Sequence, residues 1–280
     1  MSSVSRRSDQ WKQLAQFTQA RVGLDHVGVS QATTDVLDFH EAHAHARDAV
    51  HALLNVDALI DAFQHAGFEC LHVHSRAESR QEFLQRPDLG RRLDQHSAQR
   101  LTEICSRGGA QNSPIPSTQD NEGNTNRLAL VIGDGLSSLA CMCNALPVAV
   151  AVRTLLPEWE ISLAVVAEQA RVALGDEVGA LCAATATLML LGERPGLQAA
   201  DSLGAYITYR PQIGRTDAER NCISNIHSRG LQAEAAASQI ASLLREAALL
   251  GQSGIGLRSG RNAMLRTPSG KRANQTITCT

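Results

Sequence analysis

The spacing of hydrophobic and polar positions changes character near the middle of the chain. Before residue 108 the apolar residues recur mostly at helical intervals, and neither Gly nor Pro interrupts the two longest of these segments. The predicted elements are, in order, a helix over 35–54, a helix over 57–66 that Gly67 ends, a strand over 68–74 and, after a turn at 86–90, a helix that ends near Arg107. We therefore expect a mainly helical N-terminal region over residues 1–107.

Beyond residue 127, short continuous apolar runs replace the helical spacing. The runs predicted as strands are 128–132, 161–166, 185–191, 205–209 and 222–226. The predicted helices between and after them are 135–156, 168–181 and 231–250. Pro147 should kink or break the first of these helices. Buried strands that alternate with helices are typical of parallel sheets covered on both faces, so residues 127–257 are predicted to form an α/β domain with a Rossmann-like, mostly parallel sheet.

Two further segments lack any apolar period. Residues 108–126 consist largely of Gly, Ser, Pro and Asn, which bury too little surface to offset the entropy lost on ordering, and this predicts a flexible linker loop. Residues 258–280 contain five basic residues and no acidic one. We expect a disordered tail there, with a basic binding arm as the alternative.

Charge and composition exclude several classes of protein. The 26 basic and 28 acidic residues nearly balance, which argues against the concentrated basic field of a nucleic-acid-binding protein. No apolar run reaches the length of a membrane span. The seven cysteines are odd in number and contain no C-x-x-C pair, which favours a reducing cytosol over a disulfide framework or a zinc site.

Ten histidines raise the possibility of a metal site. His40, His43 and His51 could share a helix face, and His72 and His74 a strand face. Metal sites usually add carboxylate or thiolate partners and a supporting second shell. Histidines in an Ala-rich helix more often serve packing or an interface, so no metal site is expected.

Ligands of parallel sheets bind beyond the carboxyl ends of the strands, so the residues after each apolar run are the candidates. Gly and charged residues are frequent at these positions, which are 133–138, 168–177, 192–196 and 224–225. Gly133-Asp134-Gly135 suggests a dinucleotide fingerprint, but Ser138 stands where the third glycine of G-x-G-x-x-G belongs. A nicotinamide oxidoreductase therefore remains a minor alternative.

Several segments together are more specific than any one of them. They are 17–24, 42–51, 74–77, 86–93, 133–137, 171–177, 192–197 and 217–226. In this order and spacing they resemble the small subunit of ethanolamine ammonia-lyase, and the resemblance runs from about residue 11 to 257. The linker and the tail have no counterpart in the family pattern.

The resemblance implies an enzyme subunit that is catalytic only in a complex. In the family, a large TIM-barrel subunit binds ethanolamine, the small subunit closes over adenosylcobalamin from the other side, and about six large–small pairs assemble. Homolysis of the cobalt–carbon bond gives a radical that leads to acetaldehyde and ammonia, so the cofactor carries the chemistry. The implied location is cytoplasmic, with packaging into a bacterial microcompartment left open. The alternative is a cobalamin-binding or scaffolding module without turnover.

The resemblance also implies cofactor contacts on this chain, although no catalytic residue. The family's contacts fall on Val172, Glu193 and Cys222. A carboxylate can accept hydrogen bonds from the amide side chains of cobalamin, whose corrin faces suit Val and Cys. The alternatives are helix packing for Val172, a salt bridge to Arg194 for Glu193, and a core position for Cys222.

Three further candidates, Asp134, Ser137 and Arg194, rest on location alone. No cobalt-ligating histidine is expected, because the segment around His26 lacks the D-x-H-x-x-G spacing of cobalamin domains that replace the nucleotide base with a histidine.

Overall fold

The computed structural model describes residues 4–5, 9–18, 20–107, 126–161 and 163–257. The predicted linker lies outside the described residues except for Asn126, which begins a strand. The predicted tail over 258–280 lies outside them entirely.

Helices make up most of the described chain before residue 107. In chain order the elements are β1 (Val4–Ser5), α1 (Asp9–Ala15), β2 (His26–Val27), β3 (Ser30–Gln31), α2 (Thr33–His51), α3 (Val56–His65), β4 (Glu69–His74), α4 (Arg80–Gln85) and α5 (Gln95–Arg107). Strands β1 to β3 form a small antiparallel sheet. Helices α2, α3 and α5 and strand β4 match the predicted elements of this region, and Gly67, which follows α3, has the positive φ expected of a helix stop.

Strands and helices alternate in the second half of the chain. The elements are β5 (Asn126–Gly133), α6 (Ser138–Leu155), β6 (Trp159–Glu160), β7 (Leu163–Glu168), α7 (Leu174–Leu181), β8 (Ala186–Gly192), β9 (Leu203–Tyr209), β10 (Arg220–Ile226) and α8 (Ala233–Leu250). The main sheet has the order β10-β9-β8-β5-β7-β4, with β6 also paired to β5.

Most of the pairs in this sheet are parallel. Strands β4, β7, β5 and β8 run parallel to one another, whereas β9 pairs antiparallel with both β8 and β10. Because β9 is antiparallel to both β8 and β10, strand β10 runs in the same direction as β8. The carboxyl ends of β5, β7, β8 and β10 therefore meet at one edge of the sheet. The Rossmann-like α/β fold with a mostly parallel sheet is confirmed.

The N-terminal region contributes to the same sheet. Strand β4 forms the edge beside β7, with Leu71 opposite Val165. Arg80 in α4 reaches across to Asp134 after β5 and to the carbonyl oxygen of Val50. The predicted division at residues 108–126 therefore separates two stretches of sequence that share one sheet.

Each face of the sheet carries its own apolar core. Helices α3, α6 and α8 cover one face, where Leu130, Leu188 and Ile240 are fully buried. Helices α5 and α7 cover part of the other face, over Val131 and Met189. Each such side chain stabilises the fold by about 1.5–3 kcal/mol relative to an exposed position.

The predicted helix over 135–156 forms without a break at Pro147, whereas the start predicted for the next helix is wrong. Helix α6 continues through Pro147. Proline has no N–H to donate to the Cys143 carbonyl oxygen, but both residues face solvent, which can supply the missing hydrogen bond. The helix predicted over 168–181 begins only at Leu174. The backbone N–H groups of Gln169 and Ala170 instead donate to the carboxylate of Asp134, which holds this segment as a loop.

Helix α6 is long and apolar enough to cross a membrane by length and composition alone. Its apolar side chains pack against the sheet and α8, and Ala145, Val148 and Val152 are fully buried there. Packing inside the protein therefore accounts for its composition.

One disulfide was not expected from the cysteine pattern. It joins Cys105 near the end of α5 to Cys182, the residue that follows α7. It links the two helices that cover the second face of the sheet. Of the remaining cysteines in the described chain, Cys143 and Cys222 are exposed.

Candidate functional site

Helices α5 and α7 leave one end of the second sheet face uncovered. Strand register aligns six residues in a row on this face, namely Leu71, Val165, Val131, Met189, Tyr206 and Cys222. The first four are buried, Tyr206 is half-buried and Cys222 is exposed. We call the exposed end of this face, with Tyr206, Gly204, Cys222 and the adjoining Glu193, the open shelf.

Glu193 follows β8 directly and lies at the carboxyl edge of the sheet. Its Oε2 accepts a hydrogen bond from the Ser202 hydroxyl at 2.6 Å and another from the Asn225 N–H at 3.3 Å. Both of these contacts use the same oxygen, and Glu193 forms no ion pair with Arg194 within the described chain. The carboxylate is thus held in place by one oxygen while Oε1 points over the open shelf.

Gly204 keeps the space beneath Glu193 Oε1 open. A Cβ atom on this residue would lie 2.9 Å from Glu193 Oε1 and 3.0 Å from Tyr206 Cε2. Real Cβ atoms almost never approach this closely, so any side chain here would displace the carboxylate or the ring. The glycine therefore fixes how close the carboxylate and the aromatic ring lie to the sheet.

Cys222 faces the open shelf from the middle of β10. Its thiol lies 3.3 Å from the Ser224 hydroxyl, and Tyr206 lies directly opposite Cys222 in the register of β9 and β10. Burial by neighbouring atoms raises the pKa of the Cys222 thiol, and the Glu193 charge adds to this. The pKa of Tyr206 is raised as well, first by burial and then by Cys222 and Glu193. Both groups therefore stay neutral near pH 7.

Val172 lies in the loop between β7 and α7 at the same edge of the sheet. It is half-buried and packs against the second core, and its carbonyl oxygen accepts from the Gly175 N–H at 3.0 Å. Packing against the core and the hydrogen bond at the start of α7 thus involve part of Val172, and its exposed atoms remain available to a ligand at the edge of the sheet.

A buried ion pair connects the segments of Val172 and Cys222. Arg220, which begins β10, binds the carboxylate of Asp176 in the first turn of α7. Arg220 also donates to Asp217 and to the carbonyl oxygen of Arg215. Helix α7 and strand β10 are therefore held in a fixed relation although β9, β8 and 44 residues of sequence separate Asp176 from Arg220.

The three candidates chosen by location alone, Asp134, Ser137 and Arg194, differ in whether their side chains are engaged by the protein. Asp134 is buried and accepts from Arg80 and from two backbone N–H groups, and burial raises its pKa to about 6. Ser137 caps α6 and donates to the Ala200 carbonyl oxygen at 2.6 Å. Both side chains are thus committed to structure, whereas Arg194 is exposed.

No three His, Cys, Asp or Glu side chains of the described ranges form a group that could hold a metal ion. The His72 ring instead contacts Glu168 at 2.8 Å, and His74 contacts the Ser75 carbonyl oxygen. A recess of about 1060 Å³ lies on the far side of α7, beside the end of β4, and is lined by residues such as His74, Asp94 and Glu177. It contains none of the three predicted contacts.

Comparison with known proteins decides the family. The ethanolamine ammonia-lyase light chain (EutC) family matches residues 8–258. The chain belongs to this family. Three relatives carry the description ethanolamine ammonia-lyase small subunit. They come from Rhodopseudomonas palustris (strain BisA53), at 46% identity over 88% of this chain and 89% of the relative, from Bradyrhizobium diazoefficiens, at 45% over 88% of both, and from Pseudomonas aeruginosa (strain LESB58), at 43% over 89% and 86%.

Sequence reasoning about this light chain missed the residues that surround Glu193 and Cys222. Tyr206 lies opposite Cys222 in the register and Ser202, just before β9, binds Glu193, yet neither stands in a segment that carried a motif. Only the pairing of β9 with β8 and β10 brings them to the site. Asp176 and Arg220, by contrast, stand inside the resembling segments 171–177 and 217–226, which was a usable signal.

Proposed function

We propose that this light chain contributes part of an adenosylcobalamin site through Val172, Glu193 and Cys222. Membership of the light-chain family supports a subunit of an ethanolamine ammonia-lyase complex. The observation that carries the cofactor proposal is the open shelf, where Glu193 borders the same space above Gly204 as the Tyr206 ring and Cys222 lies opposite Tyr206 in the sheet. In our proposal a large TIM-barrel subunit binds ethanolamine and faces this surface.

The chemistry of the open shelf suits the rim and faces of cobalamin. The rim carries amide groups, and Glu193 Oε1 offers them an acceptor that its protein partners leave free. The space that Gly204 keeps open admits a group close to the sheet. Cys222 and Val172 present neutral, weakly polar atoms, as a largely apolar ring system requires.

The residues of this chain bind and orient rather than react. When bound, adenosylcobalamin supplies the radical chemistry that converts ethanolamine to acetaldehyde and ammonia. Glu193, held by Ser202 and Asn225, fixes the orientation of an amide donor. Because the Cys222 thiol keeps its proton near neutral pH, it offers no thiolate to compete as a metal ligand. The sheet and α7 exclude water from one side of the site.

The assembly belongs to the same proposal. We expect a large subunit to cover this surface, because a surface that holds only one side of a cofactor needs a partner to enclose it. The resemblance to the family further implies about six large–small pairs in a cytoplasmic complex.

Activity of the reconstituted complex tests the reaction. The full chain should give no acetaldehyde from ethanolamine and adenosylcobalamin alone, and should give it together with a large subunit. A verified complex that binds cobalamin but forms no acetaldehyde would overturn the lyase proposal and leave a cobalamin-binding module.

Cofactor affinity tests the site without turnover. In the assembled complex, Glu193→Ala should weaken cyanocobalamin binding about tenfold or more, whereas Glu193→Gln, which keeps an amide oxygen as acceptor, should weaken it less. Glu234→Ala, an exposed glutamate at the start of α8, serves as the matched control. Equal affinity of Glu193→Ala and the control would contradict the assignment.

Protection of Cys222 gives a second measurement. Cys222 and Cys143 are both exposed and free, and Cys143 lies on α6 at the opposite sheet face. Cyanocobalamin should slow alkylation of Cys222 in the complex and leave the Cys143 rate unchanged, as followed by peptide mass spectrometry. Equal slowing at both cysteines, or at neither, would argue against contact at Cys222.

A further inference from the structure

Tyr206 lies between two of the predicted contacts, Glu193 and Cys222. It pairs with Cys222 in the register of β9 and β10. Tyr206 Cε2 and Glu193 Oε1 border the same space above Gly204, at 3.0 Å and 2.9 Å from the position that a Cβ atom would take there. A group that contacts both Glu193 and Cys222 must therefore pass over or beside this ring.

The ring of Tyr206 lies along the sheet rather than standing away from it. Its Cε2 atom would be 3.0 Å from a Cβ atom on Gly204, two residues earlier in β9. Side chains two apart in a strand share a face, so the ring leans over the space that Gly204 leaves empty. Tyr206 packs against the second core and is half-buried.

A half-buried aromatic ring beside a fixed carboxylate makes a flat apolar floor with a polar rim. Flat ring systems gain contact area on such a floor by offset stacking or edge contacts. The carboxylate at its border accepts from donors on the periphery of the same ligand. We infer that Tyr206 is a further cofactor-contacting residue, whose ring supports a flat apolar face of cobalamin between Glu193 and Cys222.

The inference rests on the proposed cofactor site and deepens it. The ring rather than the hydroxyl provides the contact, because the ring leans over the open space above Gly204. Gly204 supports the arrangement by letting the ring and Glu193 Oε1 lie close to the sheet.

The chain offers a matched control for Tyr206. Tyr209 is its second tyrosine, lies on the same strand and is also half-buried. Its side chain packs against the first core on the opposite face of the sheet. Truncation of Tyr209 removes the same side chain from the same strand without touching the open shelf.

Cyanocobalamin binding by the assembled large–small complex tests the inference, with the dissociation constant measured by equilibrium dialysis and absorbance. Tyr206→Ala should raise the dissociation constant about tenfold, and Tyr206→Phe, which keeps the ring, should stay within about twofold of the wild type. Tyr209→Ala should leave it unchanged.

Gly204→Ala provides a second variant should Tyr206→Ala fail to assemble. The added methyl group should displace Glu193 or the ring and weaken cyanocobalamin binding, while the complex still forms. Normal affinity of Tyr206→Ala, or of Gly204→Ala where Tyr206→Ala does not assemble, would overturn the inference.

Glu193→Ala separates this inference from the proposal on which it rests. If Glu193→Ala weakens binding and Tyr206→Ala does not, the cofactor site stands and the role of Tyr206 is wrong. If neither substitution changes the affinity, the proposed site itself fails.

Discussion

Arg220 and Asp176 form an ion pair whose side chains are only 4% and 2% exposed, and it joins the strand that carries Cys222 to the helix that follows Val172. Desolvation makes such a pair costly to form, but each charge then depends on the other. The pair therefore adds little net stability, but it fixes the position of α7 relative to β10, because any separation of the two would leave one charge buried alone.

Removal of one partner should destabilise the chain strongly. Arg220→Met leaves the Asp176 carboxylate buried without its cation and should lower the free energy of unfolding by about 3–5 kcal/mol. Thermal melting of the full chain, followed by circular dichroism, measures the effect. The double variant Arg220→Met/Asp176→Leu should recover part of the loss, because it removes both charges.

Arg245→Met is the control for this prediction. Arg245 pairs with Glu158 at the surface, where both side chains are about half exposed, and its loss should cost less than about 1 kcal/mol. Similar melting temperatures for Arg220→Met and Arg245→Met would show that the buried pair does not hold the two segments.

Asp134 should make the stability of the chain depend on pH in the acidic range. Burial raises its pKa from the ordinary 3.8 to about 6, against the opposing pull of Arg80 and two backbone N–H groups. The folded protein thus holds a proton that the unfolded chain has already released. The stabilisation from this group is complete below about pH 4 and is lost as the pH rises through about 6, by on the order of 2–3 kcal/mol.

Denaturant unfolding between pH 4 and 7 tests this sign. The free energy of unfolding of the wild type should fall relative to that of Asp134→Asn as the pH rises. Asp38→Asn, at an exposed position of α2, should give a constant difference from the wild type. A wild-type advantage that grows with pH would mean that Arg80 keeps Asp134 charged throughout.

Ser202 should influence cofactor affinity without contacting the cofactor. Its hydroxyl donates to Glu193 Oε2 at 2.6 Å, and a hydrogen bond to a charged group restrains the carboxylate. Ser202→Ala should raise the dissociation constant of cyanocobalamin about three- to tenfold, less than Glu193→Ala does. Ser238→Ala on α8, whose hydroxyl bonds within its own helix, should have no effect. An unchanged affinity for Ser202→Ala would show that Asn225 alone positions Glu193.

Gly135 should tolerate no side chain. It has φ +54°, and a Cβ atom would lie 2.1 Å from the Gly192 carbonyl oxygen, so Gly135→Ala should lower the free energy of unfolding by more than about 2 kcal/mol. Gly214 also has positive φ but nothing within 4 Å of its Cβ position. Gly214→Ala should cost only the conformational strain, about 1–2 kcal/mol. Equal effects in urea unfolding would mean that backbone conformation, rather than the contact with β8, decides the cost at Gly135.

The pattern of apolar residues predicted the elements of the main sheet well because burial on both faces leaves a continuous run in the sequence. The three strong runs became β5, β7 and β8, and the two weaker ones became β9 and β10. The helix start predicted at residue 168 was wrong because a long-range partner replaced the local hydrogen bonds of Gln169 and Ala170. Such partners leave no local signal, since Asp134 lies 35 residues before Gln169.

The candidate site was predictable only in part. The resemblance named Val172, Glu193 and Cys222, and the sheet rule placed Val172 and Glu193 beyond the ends of strands. Neither predicted Tyr206, because its position depends on which residue of β9 faces Cys222 across an antiparallel pair. A shift of one residue in that register would turn Tyr206 to the other face of the sheet.

Local composition and spacing were enough to predict the alternation of buried strands and helices, the family, and the glycines at the turns. They could not predict that β4 joins the sheet of the second half, that Arg220 meets Asp176, or that Glu193, Tyr206 and Cys222 share one surface. Strand order and register arise from packing and hydrogen bonds between distant segments, and no local pattern specifies which segments pair.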